Sequence, residues 1–169
     1  MSIRVVIMAK DSLFRGRIRA RLETQRDIDV VGEFQGPWMA CEIAGVDPDI
    51  ICLSMDNPGS DILRSVVSTY PRACLIQIFH HLNKADVEEA LKAGVAGYLL
   101  DTTVMEEITK ATHAVMTRRH YSSPDITSWV VESYKQLRNL GTAGHQQHTG
   151  PESPGQHCGS RPAAGPHKK

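Results

Sequence analysis

Long apolar runs, paired cysteines and net charge are all missing from this 169-residue chain, and each absence removes a class of protein. No stretch approaches the ~18 consecutive apolar residues that a membrane span needs. The apolar start, Ile3 to Met8, is too short for a signal-peptide core and runs into Lys10 and Asp11. The four cysteines, Cys41, Cys52, Cys74 and Cys158, are scattered, with no CxxC pair. That spacing argues against a zinc site or a disulfide framework and for reduced thiols in the cytoplasm. The formal net charge is zero, so no global field draws the chain to nucleic acid or a membrane surface. What charge bias exists lies at the end: residues 141–169 carry Arg161, Lys168 and Lys169 against Glu152.

What is present is one core's worth of apolar residues, 41% of the chain, arranged in alternating short and long periods. Residues 4–8, 28–34, 49–53, 73–79 and 96–100 are short, apolar and rich in β-branched residues, as strands are. Between and after them, residues 11–25, 38–44, 58–69, 83–92 and 102–117 read as helices. Asp11-Ser12 can cap the first helix, Gly94 suits the end of the fourth, and Glu106 and Glu107 favour the start of the fifth. Five β–α repeats imply a five-stranded parallel sheet, doubly wound with helices on both faces. The expected organisation is a globular unit over residues 1–121 and an extra amphipathic helix over 122–140. From Gly141 onward Gly, Pro, His, Gln and Ser dominate, and the 141–169 tail is expected to be disordered.

One stretch concentrates the functional question: Asp47-Pro-Asp-Ile-Ile-Cys-Leu-Ser-Met-Asp-Asn-Pro-Gly59. It reads as a strand covered on both faces, with Ser54 the first polar residue past it. In open parallel sheets, the carboxyl ends of the strands are where binding and chemistry are placed. Several further stretches join it. They are Ile3-Arg-Val-Val-Ile followed by Leu13-Phe-Arg, then Ile28-Asp-Val-Val-Gly-Glu, then Glu89-Ala-Leu-Lys-Ala-Gly-Val-Ala-Gly-Tyr-Leu-Leu, and Tyr121-Ser-Ser-Pro. Together they resemble a response-regulator receiver domain, the CheY-like (βα)5 flavodoxin-like fold, of the LuxR/NarL-type subfamily. The resemblance covers roughly residues 3–125.

The resemblance implies a phosphorylation pocket: an aspartate ending strand three, two acids after strand one that hold Mg²⁺, a hydroxyl ending strand four and a lysine ending strand five. At the matching positions this chain has Ser54, then Ala9 and Lys10, then Phe79, then Asp101. Only the switch aromatic of strand five is kept, as Tyr98. Without the carboxylates, Mg²⁺ binding is expected to be lost, and Phe79 is expected to plug the pocket. Lys10 and Asp101 exchange the sign of the family's charges, so an ion pair between them is a further expectation. Asp56 is the alternative phospho-acceptor.

Other features are weighed against plainer roles. Ser54, with His80 or His81 as base and Asp56 as orienter, has the residue types of a hydrolytic triad. There is no G-x-S-x-G elbow, however, and the chain is read as no enzyme. Arg15, Arg17, Arg19 and Arg21 of the first helix read as a solvated face. The tail histidines His145, His148, His157 and His167, with Cys158, are too irregular for a specific metal site. Trp38 and Met39 read as core or docking residues. Trp129, Val130, Tyr134 and Leu137 of the extra helix are partner-binding candidates, because a lone helix of that length is marginal in water.

In the resembling subfamily a helix-turn-helix of about 60 residues follows the linker; here the 29 residues after Leu140 show no helical pattern. Sequence-specific DNA binding is therefore not expected. The expected function is that of a pseudo-receiver, acting in two-component or phosphorelay-type signalling or in transcription control by phosphorylation-independent protein binding. The alternatives are a regulator phosphorylated at an atypical acceptor, and a transcription regulator whose DNA-binding domain is lost or supplied by a partner. The partner classes are a histidine kinase, another response regulator, or a second copy in a homodimer. The surface of helices 83–92 and 102–117 with strand 96–100, or that of helices 11–25 and 102–117, is the expected place of association.

Overall fold

The computed structural model describes residues 2–36, 45–56 and 58–143. The helix expected over 38–44, with Trp38 and Met39, lies outside these residues, as do Asn57 and residues 144–169 with their histidines and Cys158.

In chain order the elements are β1 (Ile3–Ala9), α1 (Ser12–Leu22), β2 (Ile28–Phe34), β3 (Ile50–Ser54), α2 (Gly59–Thr69) and β4 (Cys74–Phe79). Then come α3 (Lys84–Ala93), β5 (Gly97–Leu100), α4 (Val104–Met116), β6 (Tyr121–Ser122) and α5 (Pro124–Ala143). All strand pairs are parallel, and the sheet order is β2-β1-β3-β4-β5-β6. The sheet thus has six strands where the periodicity predicts five. The added strand is two residues long and extends the β5 edge: the Tyr121 and Ser123 amides donate to the Ala96 and Tyr98 carbonyls at 3.0 and 2.9 Å.

The period-two alternation of the strands divides the core between the two faces. Ile50 and Cys52 of β3, with Ile76 and Ile78 of β4, pack on one side against Ile18 and Leu22 of α1 and Val104, Ile108 and Ala111 of α4. Ile51 and Leu53, with Leu75 and Phe79, pack on the other against Leu63 and Val66 of α2 and Val87 and Ala90 of α3. Both faces being covered explains why the central strands read as unbroken apolar runs. Each large aliphatic side chain so buried contributes roughly 1.5–3 kcal/mol relative to exposure.

The helix ends follow local chemistry. Asp11 accepts the Leu13 and Phe14 amides at 2.8 and 3.3 Å, capping α1. Asn83 accepts the Asp86 amide at 2.9 Å and caps α3. Gly94 ends α3 with φ of 81°, a left-handed conformation that glycine adopts without a Cβ penalty. The lead into β3 is tied to β1 twice: Arg4 N–H donates to Asp49 Oδ2 at 2.8 Å, and Asp49 N–H donates to the Arg4 carbonyl at 2.9 Å. These bonds set the register in which Ala9 lies beside Ser54.

The chain resolves into two compact units, Met1–Ser133 and Tyr134–Lys169, so α5 runs through the boundary. In the first unit Ile126 belongs to the core, and Trp129 and Val130 pack against it partly buried. In the second, Tyr134 is 65% exposed, and the Leu137 side chain lies outside the described residues. No helix among the described residues is long and apolar enough to cross a membrane.

One buried side chain is out of keeping with its surroundings. Gln77 of β4 is fully buried, its Oε1 has no partner, and its Nε2 makes only a 3.4 Å bond to the Ile78 carbonyl. A buried amide left half satisfied costs about 1–3 kcal/mol. Gln77→Met removes the polar group at similar length, and chemical denaturation is expected to show a gain of about 1 kcal/mol. A loss of stability would mean that Gln77 is satisfied in solution.

Candidate functional site

The order β2-β1-β3 means that the chain leaves β1 toward one edge and returns on its other side at β3. Such a switch point opens a crevice beyond the strand ends. Here the crevice is about 600 Å³ and is lined by Ala9, Lys10, Asp11, Phe14, Gln35, Ser54, Met55, Asp56 and His80.

Ser54 ends β3 and is almost fully buried. Its Oγ lies 3.0 Å from His80 Nε2, and His80 Nδ1 lies 2.9 Å from Asp101 Oδ2. The alignment follows from strand register. Phe79 pairs with Leu100 at the ends of β4 and β5, and the Asp101 amide donates to the Phe79 carbonyl at 3.0 Å. The next residues, His80 and Asp101, are therefore neighbours. The Phe14 ring packs against the imidazole at a centroid distance of 5.9 Å, tilted by 50°. An ionised carboxylate only accepts, so Nδ1 carries the proton toward Asp101. In the neutral imidazole Nε2 then offers its lone pair to the Ser54 hydroxyl.

Two cations stand at the β1–α1 loop, Lys10 on the loop itself and Arg15 reaching it from α1. Arg15 donates through Nη1 to the Ala9 carbonyl and, at 3.2 Å, to the Lys10 carbonyl. Its Nε is buried without a partner. Lys10 is exposed and forms no ion pair among the described residues. At the positions matching the family's acid pair and acceptor, the donors do not fit Mg²⁺, which takes oxygen ligands and usually one or two carboxylates; Asp56 is a carboxylate on the crevice wall outside those positions. Ala9 offers no side-chain donor, Lys10 is a cation, Asp11 is engaged as the α1 cap, and the Ser54 hydroxyl is engaged with His80. Among the described residues no three His, Cys, Asp or Glu side chains converge as metal ligands.

The structure rearranges the expected site in three places. Asp101 pairs with His80 and not with Lys10, because adjacent parallel strands bring 80 and 101 together. Phe79 does not plug the crevice; strand alternation turns it into the core beside Leu53 and Tyr98, and His80 faces Ser54 instead. The residue orienting His80 is Asp101, whereas Asp56 is exposed at the crevice and His81 is exposed beyond the array. The sequence signal for the array was the register itself: the first residues past two adjacent strands. Tyr98 lies on the α3 side, buried, with its hydroxyl donating to the Val95 carbonyl at 2.8 Å. It lines a second, apolar cavity of about 430 Å³ with Val87, Leu91, Ile126 and Val130. Burial pushes its phenol up to about 12.

The chain is 31% identical over 115 residues to the response regulator protein VraR of Staphylococcus saprophyticus, covering 66% of this chain and 55% of that one. It is 23% identical over 142 residues to the transcriptional regulatory protein LnrK of Bacillus subtilis, covering 82% and 64%. The chain thus spans little more than half to two thirds of these relatives. Among solved structures, the signal receiver domain of NarL from Mycobacterium tuberculosis is 30% identical with a TM-score of 0.62, covering 70% of this chain and 98% of that domain. A two-component response regulator of the LuxR family from Aurantimonas sp. SI85-9A1 matches in fold at a TM-score of 0.72 and 22% identity, covering 79% and 99%. No protein-family model matches.

Two predictions follow from these contacts. Lys10→Ala is expected to leave unfolding free energy within about 0.5 kcal/mol of wild type. Asp101→Ala lowers it by about 1 kcal/mol, a charged hydrogen bond discounted because the His80 and Asp101 side chains are 32% and 28% exposed. Equal effects of the two substitutions would contradict the pairing. The raised Tyr98 phenol gives a second signature. Its contribution to stability is complete below the unfolded value near 10 and is lost as pH rises toward about 12, because only the unfolded chain ionises in that window. A phenolate absorbance titration is expected to show this tyrosine ionising only near the top of that range; ionisation of all four tyrosines near 10 would contradict its burial.

Proposed function

Since the chain belongs to the receiver-domain family of response regulators, we propose that it is a pseudo-receiver: a receiver fold that signals by protein binding without aspartyl phosphorylation. The observation that carries this reading is the Ser54–His80–Asp101 chain of hydrogen bonds at the acceptor position. A receiver's acceptor is an anionic carboxylate beside a divalent cation, which neutralises the charge that develops on the transferring group. Here the acceptor position holds a neutral hydroxyl, and the positions of the family's acid pair hold a methyl group and an ammonium. Lys10 and the guanidinium that Arg15 of α1 brings to the same loop disfavour a second cation.

What remains for signalling is the scaffold's surface. The partners that suit it are proteins of a two-component system: a histidine kinase, another response regulator, or a second copy of this chain. Through such a partner the domain would act on signalling or on transcription. The half-buried Trp129 and Val130 and the exposed Tyr134 lie on α5 and are candidates for that contact.

The test is incubation with acetyl phosphate and Mg²⁺, followed by intact-mass analysis. No phosphoryl adduct is expected on the wild-type chain, and Asp56→Asn behaves identically. Wild-type labelling that disappears in Asp56→Asn would overturn the proposal in favour of an atypical acceptor. A stable phosphoryl adduct on Ser54 would overturn it as well.

A further inference from the structure

We propose that Ser54 is a nucleophilic serine, activated by His80 and positioned through Asp101, that accepts an acyl group from a small carboxylic ester or thioester. Three side chains from the ends of three adjacent strands form one line: Ser54 Oγ to His80 Nε2 at 3.0 Å, and His80 Nδ1 to Asp101 Oδ2 at 2.9 Å. Both distances lie within hydrogen-bond reach of a nucleophile–base and a base–orienter pair. The polarity is fixed by Asp101, which takes the Nδ1 proton and leaves Nε2 facing the hydroxyl as a base. Phe14 supports the imidazole from its side.

The line ends at an open volume. Ser54 and His80 both face the crevice of about 600 Å³, whose walls include Phe14 and Met55 for an apolar acyl chain. Lys10 lines the same crevice and has no acidic partner among the described residues. Its ammonium is the cation available to the single negative charge that forms on a carbonyl oxygen during acyl transfer. Phosphoryl transfer spreads charge over three oxygens and calls for metal ions, and the family's acid-pair positions here hold Ala9 and Lys10. Acyl transfer needs only the base and the oxyanion stabiliser.

In the step, Ser54 Oγ attacks the carbonyl carbon and its proton passes to His80 Nε2. The tetrahedral adduct collapses, the carbonyl carbon's bond to the alcohol oxygen or thiol sulfur breaks, and the bonding pair leaves with that atom. The leaving group takes the proton from Nε2. One ester and one serine give an acyl-serine and one alcohol or thiol, with no change in oxidation state. Ser54 and His80 are the catalytic residues of this step, and Asp101 is a positioning residue. The activity stands independently of partner binding.

The experiment uses the full chain with p-nitrophenyl acetate, reading p-nitrophenolate release and locating the acetyl group by peptide mass spectrometry. Acetylation is expected on Ser54 and absent from Ser54→Ala. His80→Gln is expected to slow it about 10²–10⁴-fold, the range for a lost general base. Asp101→Asn slows it too and alters the pH profile, because an amide can donate to Nδ1 and turn the imidazole's tautomer, while Asp101→Glu restores the rate. Circular dichroism checks each variant's fold. Acetylation confined to lysines or the amino terminus, or an unchanged rate in folded His80→Gln, would overturn the proposal.

Discussion

A parallel sheet buried on both faces has one row of places where polar side chains can gather, and that row is the line of its strand ends. Every position from Val5 to Met8, Ile50 to Leu53 and Cys74 to Phe79 is committed to one apolar cluster or the other by the alternation of the strands, with the half-satisfied Gln77 as the exception. Chemistry is therefore confined to the last residue of the ladder and the first ones that escape it. Register then decides which of them meet. Ala9 beside Ser54, and Phe79 beside Leu100, place Ser54, His80 and Asp101 in one line before any side-chain interaction is counted.

The electrostatics of this row form a consistent set. Carboxylates beside a divalent cation and a hydrogen-bonded Ser–His–Asp line are two different solutions to holding charge at a crevice. The second needs no metal, provided that each member has a partner. Asp101 has the His80 Nδ1 proton, and His80 has the Ser54 hydroxyl. On the β1–α1 loop the Asp11 carboxylate caps α1, and Arg15 takes up the Ala9 and Lys10 carbonyls.

Most of the fold was legible because it rests on local rules. The alternating periods located β1 to β5, Asn83 and Gly94 marked the ends of α3, and Asp11 marked the start of α1. The strand β6 was not legible, since two residues carry no alternation and Tyr121–Ser122 exists only by bonding to the β5 edge. In the site, the loss of the family's carboxylates could be read directly from Ala9, Lys10 and Ser54. The partner of Asp101 could not be read from charge alone, which favoured Lys10; distance favoured His80. Likewise, matching by position put Phe79 at the pocket, while the alternation of β4 sent it to the core and brought in His80.

The central claim is that the acceptor position of this receiver is a neutral serine held by an oriented histidine. The most direct measurement is the tautomer of His80, read from the proton–nitrogen couplings of its imidazole in a ¹⁵N-labelled sample. The account predicts a proton held at Nδ1 and an unprotonated, hydrogen-bond-accepting Nε2, unchanged when Mg²⁺ is added. A proton residing on Nε2, or an imidazole whose signals shift on that addition, would contradict it.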